Sequence, residues 1–209
     1  MEMCILIQEE LNKALLNAVK RGKTEEVKRL VRTGADVNGK IYLEGKENDI
    51  FELPLTVAAA HGHKKTVAAL LELGANVNAS DSLGPPLWHA VTENYQNTAQ
   101  TLLASGADAN RKCNMITQDT PLFDAARNGE EAMLRCLLAA GADVNAADED
   151  GFSALYSAAL GGKTEVMKYL IAAGAKTNKE ALDGMTELHI ASALNQLIKF
   201  GSGQRRLGR

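Results

Sequence analysis

Gly141-Ala142-Asp143-Val144-Asn145 is one copy of a phrase that runs through the whole chain. It recurs as Gly34-Ala35-Asp36-Val37-Asn38, Gly74-Ala75-Asn76-Val77-Asn78, Gly106-Ala107-Asp108-Ala109-Asn110 and Gly174-Ala175-Lys176-Thr177-Asn178. The glycines stand 40, 32, 35 and 33 residues apart. Self-similarity at such a period marks a stack of small units, each burying its apolar face against its neighbours.

The stretch leading to Gly174 reads as one unit. Asp148-Glu149-Asp150-Gly151 is a turn, whose glycine accepts positive φ. Ser153 is placed to cap a helix through Leu160 that Gly161-Gly162 ends. Thr164 is read as the cap of a second helix, with Val166, Met167, Leu170 and Ile171 on one face, stopped at Gly174. Matching apolar positions recur as Val27, Leu30 and Val31; Val67, Leu70 and Leu71; Ala99, Leu102 and Leu103; Leu134, Leu137 and Leu138. Cys136 is expected on the same stripe. Truncating Leu137 to alanine is expected to cost ~2–5 kcal/mol.

A second phrase keeps register with the first. It reads Leu53-Pro54-Leu55-Thr56-Val57-Ala58, Pro85-Pro86-Leu87-Trp88-His89-Ala90, Thr120-Pro121-Leu122-Phe123-Asp124-Ala125, Ser153-Ala154-Leu155-Tyr156-Ser157-Ala158 and Thr186-Glu187-Leu188-His189-Ile190-Ala191. From Ala18, Ala58, Ala90, Ala125 and Ala158 the next phrase glycine is always 16 residues on. The pattern resembles the Thr-Pro-Leu-His-x-Ala signature of ankyrin repeats, over residues 11–198. The resemblance implies an all-α ankyrin-repeat solenoid of stacked helix-turn-helix units with projecting hairpin-like loops. It implies one domain over 1–200, with repeats near 11–40, 41–80, 81–113, 114–147 and 148–180 and a partial unit at 181–200. Leu11 to Arg21 is expected to open the first repeat, and a helix near 186–199 to close the last. Residues 201–209 read as a flexible basic tail: a native end, a cut end or an expression scar.

Composition bounds the chemistry. Apolar residues make up 45% and aromatics 4%, so the core is built of Ala, Leu and Val, which lets helices approach closely. The formal charge of −3 gives no basic field for nucleic acid. Cys4, Cys113 and Cys136 have neither disulfide nor zinc spacing. No apolar run reaches bilayer length, and the first residues lack a secretion-signal pattern. The expectation is a monomeric cytoplasmic protein, with the nucleus, or a host cytosol for a secreted bacterial effector, as other settings.

The departures from the period are informative. Asn38 to Leu55 spans 17 residues against 10 from Asn145 to Leu155, an insertion of seven. It carries Tyr42, Ile50 and Phe51. Either Ile50 and Phe51 fold back on the neighbouring loop, or the insertion is a contact finger for a partner, as repeat insertions often are. A smaller insertion holds Arg111, Lys112, Asn114, Met115, Ile116 and Gln118. Trp88, Phe123 and Tyr156 share one column with Thr56 and His189, either as packing between first helices or as anchors bordering a groove. Asn94 and Asn195 stand where Gly22, Gly62, Gly129 and Gly162 end helices; asparagine tolerates the left-handed conformation next best.

No catalytic constellation is visible: no phosphate loop, no nucleophile motif, no zinc spacing. His61-Gly62-His63 aligns with the helix-helix turn rather than a metal site. Asp148, Glu149 and Asp150 read as solvated turn residues. No enzyme activity, cofactor or metal is expected. Leu30 with Asn38, and Leu137 with Asn145, resemble the spacing at which ankyrin asparagines are hydroxylated; the alternative is that these asparagines only cap their loops.

The resemblance implies a non-catalytic scaffold that binds another protein on the concave face made by its first helices and loop tips. Carried over residue by residue, the contact set is Leu83, Trp88, Glu93, Asp124, Arg127, Asn128, Glu149, Asp150, Phe152 and Leu160, with Tyr42 and Phe51 from the insertion. Phe152 is expected to be an anchor whose loss changes binding more than stability. The alternative is a targeting segment of a larger effector, adaptor or ligase-subunit protein whose activity lies outside this chain.

Overall fold

The structure, a computed structural model, describes residues 2–42, 50–113, 118–177 and Ser192. The expected closing helix, Asn195, His189, the tail, and Met115 and Ile116 lie outside the described residues. The described helices are α1 (Glu2–Lys20), α2 (Thr24–Arg32), α3 (Pro54–Ala60), α4 (Lys64–Glu72), α5 (Pro86–Thr92), α6 (Gln96–Ala104), α7 (Pro121–Asn128), α8 (Glu131–Ala139), α9 (Ala154–Leu160) and α10 (Thr164–Ala172). Two strands, β1 (Ile41–Tyr42) and β2 (Phe51–Glu52), pair antiparallel with Ile41 opposite Glu52 and Tyr42 opposite Phe51. The inserted residues thus open and close as a short hairpin.

The chain divides into two compact units, Met1–Ile116 and Thr117–Arg209. In the first, α1, α3 and α5 pack in succession, α2, α4 and α6 do the same, and each odd helix packs on the even helix that follows it. In the second, α7 packs on α8 and α9, and α10 on α9 and α8. Within each unit this is the expected arrangement of helical hairpins, each lying against the next.

Local sequence explains the boundaries. Proline opens α3, α5 and α7, where a missing N–H costs nothing. The Ser153 hydroxyl accepts from the Tyr156 amide at 3.1 Å, and Thr120 from the Phe123 amide at 3.2 Å. Asn94 has a φ of 56°, the left-handed value that the aligned glycines take. Two expectations shift. Thr164 is the first residue of α10 rather than its cap, with Lys163 in the capping place. Helix α1 starts nine residues ahead of Leu11, and Gln8 is drawn into the fold by donating to the Gly34 carbonyl at 2.9 Å.

The buried stripe also differs from the sequence reading. Val27, Leu30, Val67, Leu70, Ala99, Leu102, Leu134, Leu137 and Leu170 are buried, Leu137 completely. The third position of each set points outward: Val31, Leu71, Leu103 and Leu138 are half-buried and Ile171 is exposed. The width is made up from the other side by Thr66, Thr98 and Met133; in α10, Val166 is buried as expected while Met167 is half-buried. Helical geometry explains the swap, because the residue before each first apolar position lies closer to the buried face than the third does. Cys136 is half-buried and Cys113 is buried.

The recurring pentapeptide joins one repeat to the next. The Asp36 carboxylate accepts from the Asn38 amide at 2.9 Å, which closes its own loop. The Asn38 side chain reaches forward, donating to the Gly74 carbonyl at 3.1 Å and accepting from the Asn76 amide at 2.8 Å. Asn78 treats Gly106 and Asp108 the same way, and Asn145 treats Gly174 and Lys176. Asn12 of α1 accepts from the Asp36 amide at 2.8 Å, the same bond supplied from a helix.

Candidate functional site

In the first unit the contact residues named above gather around two loops. Tyr42 is 56% exposed and its ring lies 6.0 Å from that of Phe51. Phe51 is half-buried, with the Lys40 ammonium 4.4 Å from its ring centroid. Glu52 pairs with Lys20 at 2.7 Å, which ties the hairpin to α1. The Phe51 amide donates to the Ser82 hydroxyl at 2.9 Å. Phe51 therefore folds back toward the following loop while Tyr42 stays outward. Beside Tyr42, an open groove of about 290 Å³ is lined by Glu9, Asn12, Lys13, Lys40 and Ile41. A wider groove of about 660 Å³ between α2 and α4 carries none of the named contact residues.

The following loop, 81–84, is built around a buried carboxylate. Asp81 accepts from the Leu83 amide at 2.9 Å and the Gly84 amide at 3.0 Å. His89 of α5 places Nε2 3.1 Å from the same carboxylate, and both side chains are buried. Burial works against the Asp81 charge. The His89 bond and charge, the Gly84 amide and the Thr56 hydroxyl outweigh it, so the carboxyl ionises below its ordinary value. Leu83 is exposed on this loop. Trp88 is half-buried, edge-on to His89 at 5.1 Å, and a Cβ on Gly84 would stand 3.1 Å from its Cε3. Glu93 is exposed at the end of α5.

The second unit presents a different set. Asp124 is buried rather than offered to solvent, and it is paired with Arg127, whose guanidinium also lies 3.7 Å from Asp119. Arg127 sits 5.8 Å from the Phe123 ring centroid and is half exposed. The buried carboxylate thus steers the arginine rather than meeting a ligand itself. Asn128 is exposed and bonds Glu130, whose carboxyl ionises above its ordinary value: burial raises it, the Asn128 bond pulls it down, and the Asp124 charge raises it further. Glu149 and Asp150 are exposed at the turn, with Gln118 donating to Glu149 at 2.5 Å. Asp148 accepts from the Asp150 and Phe152 amides, which makes it the organiser of the turn. Phe152 is half-buried and stacked on Tyr156 at 4.5 Å and 27°, and Met167 packs with it against the buried cluster of Tyr156 and Ala159. Leu160 is 64% exposed.

Trp88, Phe123 and Tyr156 take different neighbours: His89, Arg127 and Phe152 respectively. The sequence reading singled out neither Asp81 nor His89 as a contact residue. The column holding Val57, His89, Asp124 and Ser157 mixes apolar and polar types, a signal available in the repeat alignment. His61 Nδ1 donates to the Val57 carbonyl at 2.9 Å and His63 Nε2 to the Lys20 carbonyl at 3.1 Å, so each imidazole is oriented by backbone. Among the described residues, no three His, Cys, Asp or Glu side chains stand together to hold a metal. No helix among them is long and apolar enough to cross a membrane.

The model of ankyrin repeats, three copies in length, matches residues 15–113, 87–181 and 122–200. The chain belongs to the ankyrin-repeat family. Among curated proteins it resembles an ankyrin repeat protein of Rickettsia felis, 35% identical over 113 residues, 49% of each chain. It also resembles neurogenic locus notch homolog protein 1 of Xenopus laevis, 39% identical over 50% of this chain and 4% of that protein. A third relative is ankyrin repeat and SOCS box protein 6 of Mus musculus, 37% identical over 54% of this chain and 27% of that protein. The chain therefore spans half or less of the length of each of these relatives. Ankyrin repeats serve as protein-interaction modules, and these relatives are repeat proteins.

Proposed function

We propose that this ankyrin chain is a non-catalytic scaffold that holds one partner protein along its loop tips and first helices. The observation that carries the reading is the exposure of large apolar side chains on braced supports. Tyr42 stands on strand β1 paired with Phe51, Leu83 on a loop fixed by hydrogen bonds, and Leu160 ends a helix whose capping serine is bonded. Large side chains held rigidly are what interface anchors need, since little ordering entropy is lost on contact. Glu93, Glu149 and Asp150 would add register and on-rate rather than bulk affinity. The reading treats 1–200 as one binding domain and places it in the cytoplasm. Capture from the source cell with wild type and with Tyr42→Ala, Leu83→Ala and Leu160→Ala tests it. A partner retained equally by all of them would end it.

A second reading is favoured by the comparisons. The matched stretch is a small part of much longer relatives, 4% of one and 27% of another. On this reading the chain is the targeting segment of a larger effector, adaptor or ligase-subunit protein. Mapping the full reading frame in the source genome distinguishes the two. The asparagines Asn38 and Asn145 are carried as repeat joints first and hydroxylation positions second; native mass spectrometry without a +16 shift on either removes the second role.

A further inference from the structure

We propose that the buried Asp81–His89 pair positions the contact surface of the first unit, so that four contact residues depend on one hydrogen-bonded pair. The functional meaning rests on the partner-binding reading above; the structural dependence does not. The argument starts from Asp81. A carboxylate only accepts hydrogen bonds, so His89 must present a proton on Nε2 at 3.1 Å. The same carboxylate gathers the Leu83 and Gly84 amides. Its position fixes the loop, and His89 of α5 fixes its position.

From that loop the dependence runs outward in two directions. Toward α5, Gly84 lies under Trp88, and Trp88 meets the His89 ring edge-on. Toward the hairpin, Ser82 accepts from the Phe51 amide at 2.9 Å and donates its own amide to the Phe51 carbonyl at 3.4 Å. Phe51 in turn carries the Tyr42 ring contact. Leu83, Trp88, Phe51 and Tyr42 are thus placed by a chain of bonds that begins at the pair. Removing the imidazole leaves a buried carboxylate short of a donor, which is costly enough to displace the loop. His89 is a positioning residue: it is buried and acts through Asp81.

Amide hydrogen exchange on the whole chain, with the emission of Trp88 (the only tryptophan), tests this without any partner. His89→Leu is expected to speed exchange at Leu83, Gly84 and Phe51 by about tenfold or more. Val57 in α3 and Leu102 in α6 should stay protected, and the indole emission should move to the red. His89→Gln, which keeps a donor, should restore exchange toward wild type. Ser82→Ala should release Phe51 and leave Leu83 and Gly84 protected. If His89→Leu does not fold, Asp81→Asn carries the test, because it weakens the bond to His89 while keeping a side-chain oxygen; the same three amides should speed up. Unchanged exchange at Leu83 and Gly84, or a rise there no greater than at Val57 and Leu102, overturns the proposal. Loss of this exchange response is separate from retention of the partner by Leu83→Ala at the wild-type level, which would sink the binding reading alone.

Discussion

The ring of Tyr95 covers Gly62 so closely that a Cβ on the glycine would stand 2.5 Å from Tyr95 Cδ1. Gly62 also has a φ of +66°. Two costs therefore meet at one position: a left-handed backbone, about 1–2 kcal/mol for a residue with a side chain, and a ring that must move. At Gly74 the φ is +92° and nothing lies within 4 Å of the same point. Gly62→Ala is expected to lower the unfolding free energy by clearly more than Gly74→Ala in urea denaturation. Equal losses would mean that the tyrosine swings aside without penalty.

The forward-reaching asparagines should be worth more than their exposure implies. Asn38→Ala removes two bonds to the next loop, from Gly74 and Asn76, and should cost about 1–2 kcal/mol. Asn145→Ala makes the same test in the second unit, against Gly174 and Lys176. Chemical denaturation gives the loss. Faster exchange at the Asn76 amide in Asn38→Ala would locate it at the joint, and wild-type stability in both variants would show that water replaces the bridge.

Acid should loosen the 81–84 loop through Asp81. Its carboxyl ionises below the ordinary 3.8 in the folded chain, so the folded state holds fewer protons than the unfolded state between the two values. The stabilisation is complete above pH 3.8 and is lost as pH falls through the lower folded value. Asp81→Asn is expected to flatten the melting temperature against pH in that window. A wild-type slope in the variant would assign the acid sensitivity to other carboxylates.

Phe152 and Leu160 separate packing from contact. Phe152→Ala breaks the stack on Tyr156 and should cost about 1–2 kcal/mol, below the figure for a fully buried aromatic because the ring is half-buried. Leu160→Ala, at an exposed site, should leave stability within about 0.5 kcal/mol. If partner capture falls in Leu160→Ala at unchanged melting temperature, the leucine is an anchor. A large stability loss in that variant would return it to the core.

The pentapeptide spacing was enough to place the helices, because the left-handed glycines and the period of the apolar stripe are local demands written in residue type. Where reading failed, the missing information was spatial. Thr164 has the chemistry of a cap, but Lys163 occupies the place. The third stripe position is apolar in every repeat yet turns outward, since helix crossing geometry rather than hydrophobicity decides which edge is covered. Asp124 was legible as a charge, but nothing in its neighbours along the chain said that it would be buried beneath Arg127. The pairing of Asp81 with His89 needed the loop to fold back onto α5, and Phe152 needed Tyr156 one helical turn away to become packing as well as surface.

The bridge from Asn38, Asn78 and Asn145 to the glycine carbonyl ahead of each has an evolutionary corollary. It asks nothing of the next unit's side chains, only a carbonyl and an amide at a set separation. A repeat copied or borrowed from elsewhere can be spliced in and fastened at once, leaving its outward residues free to diversify toward new targets.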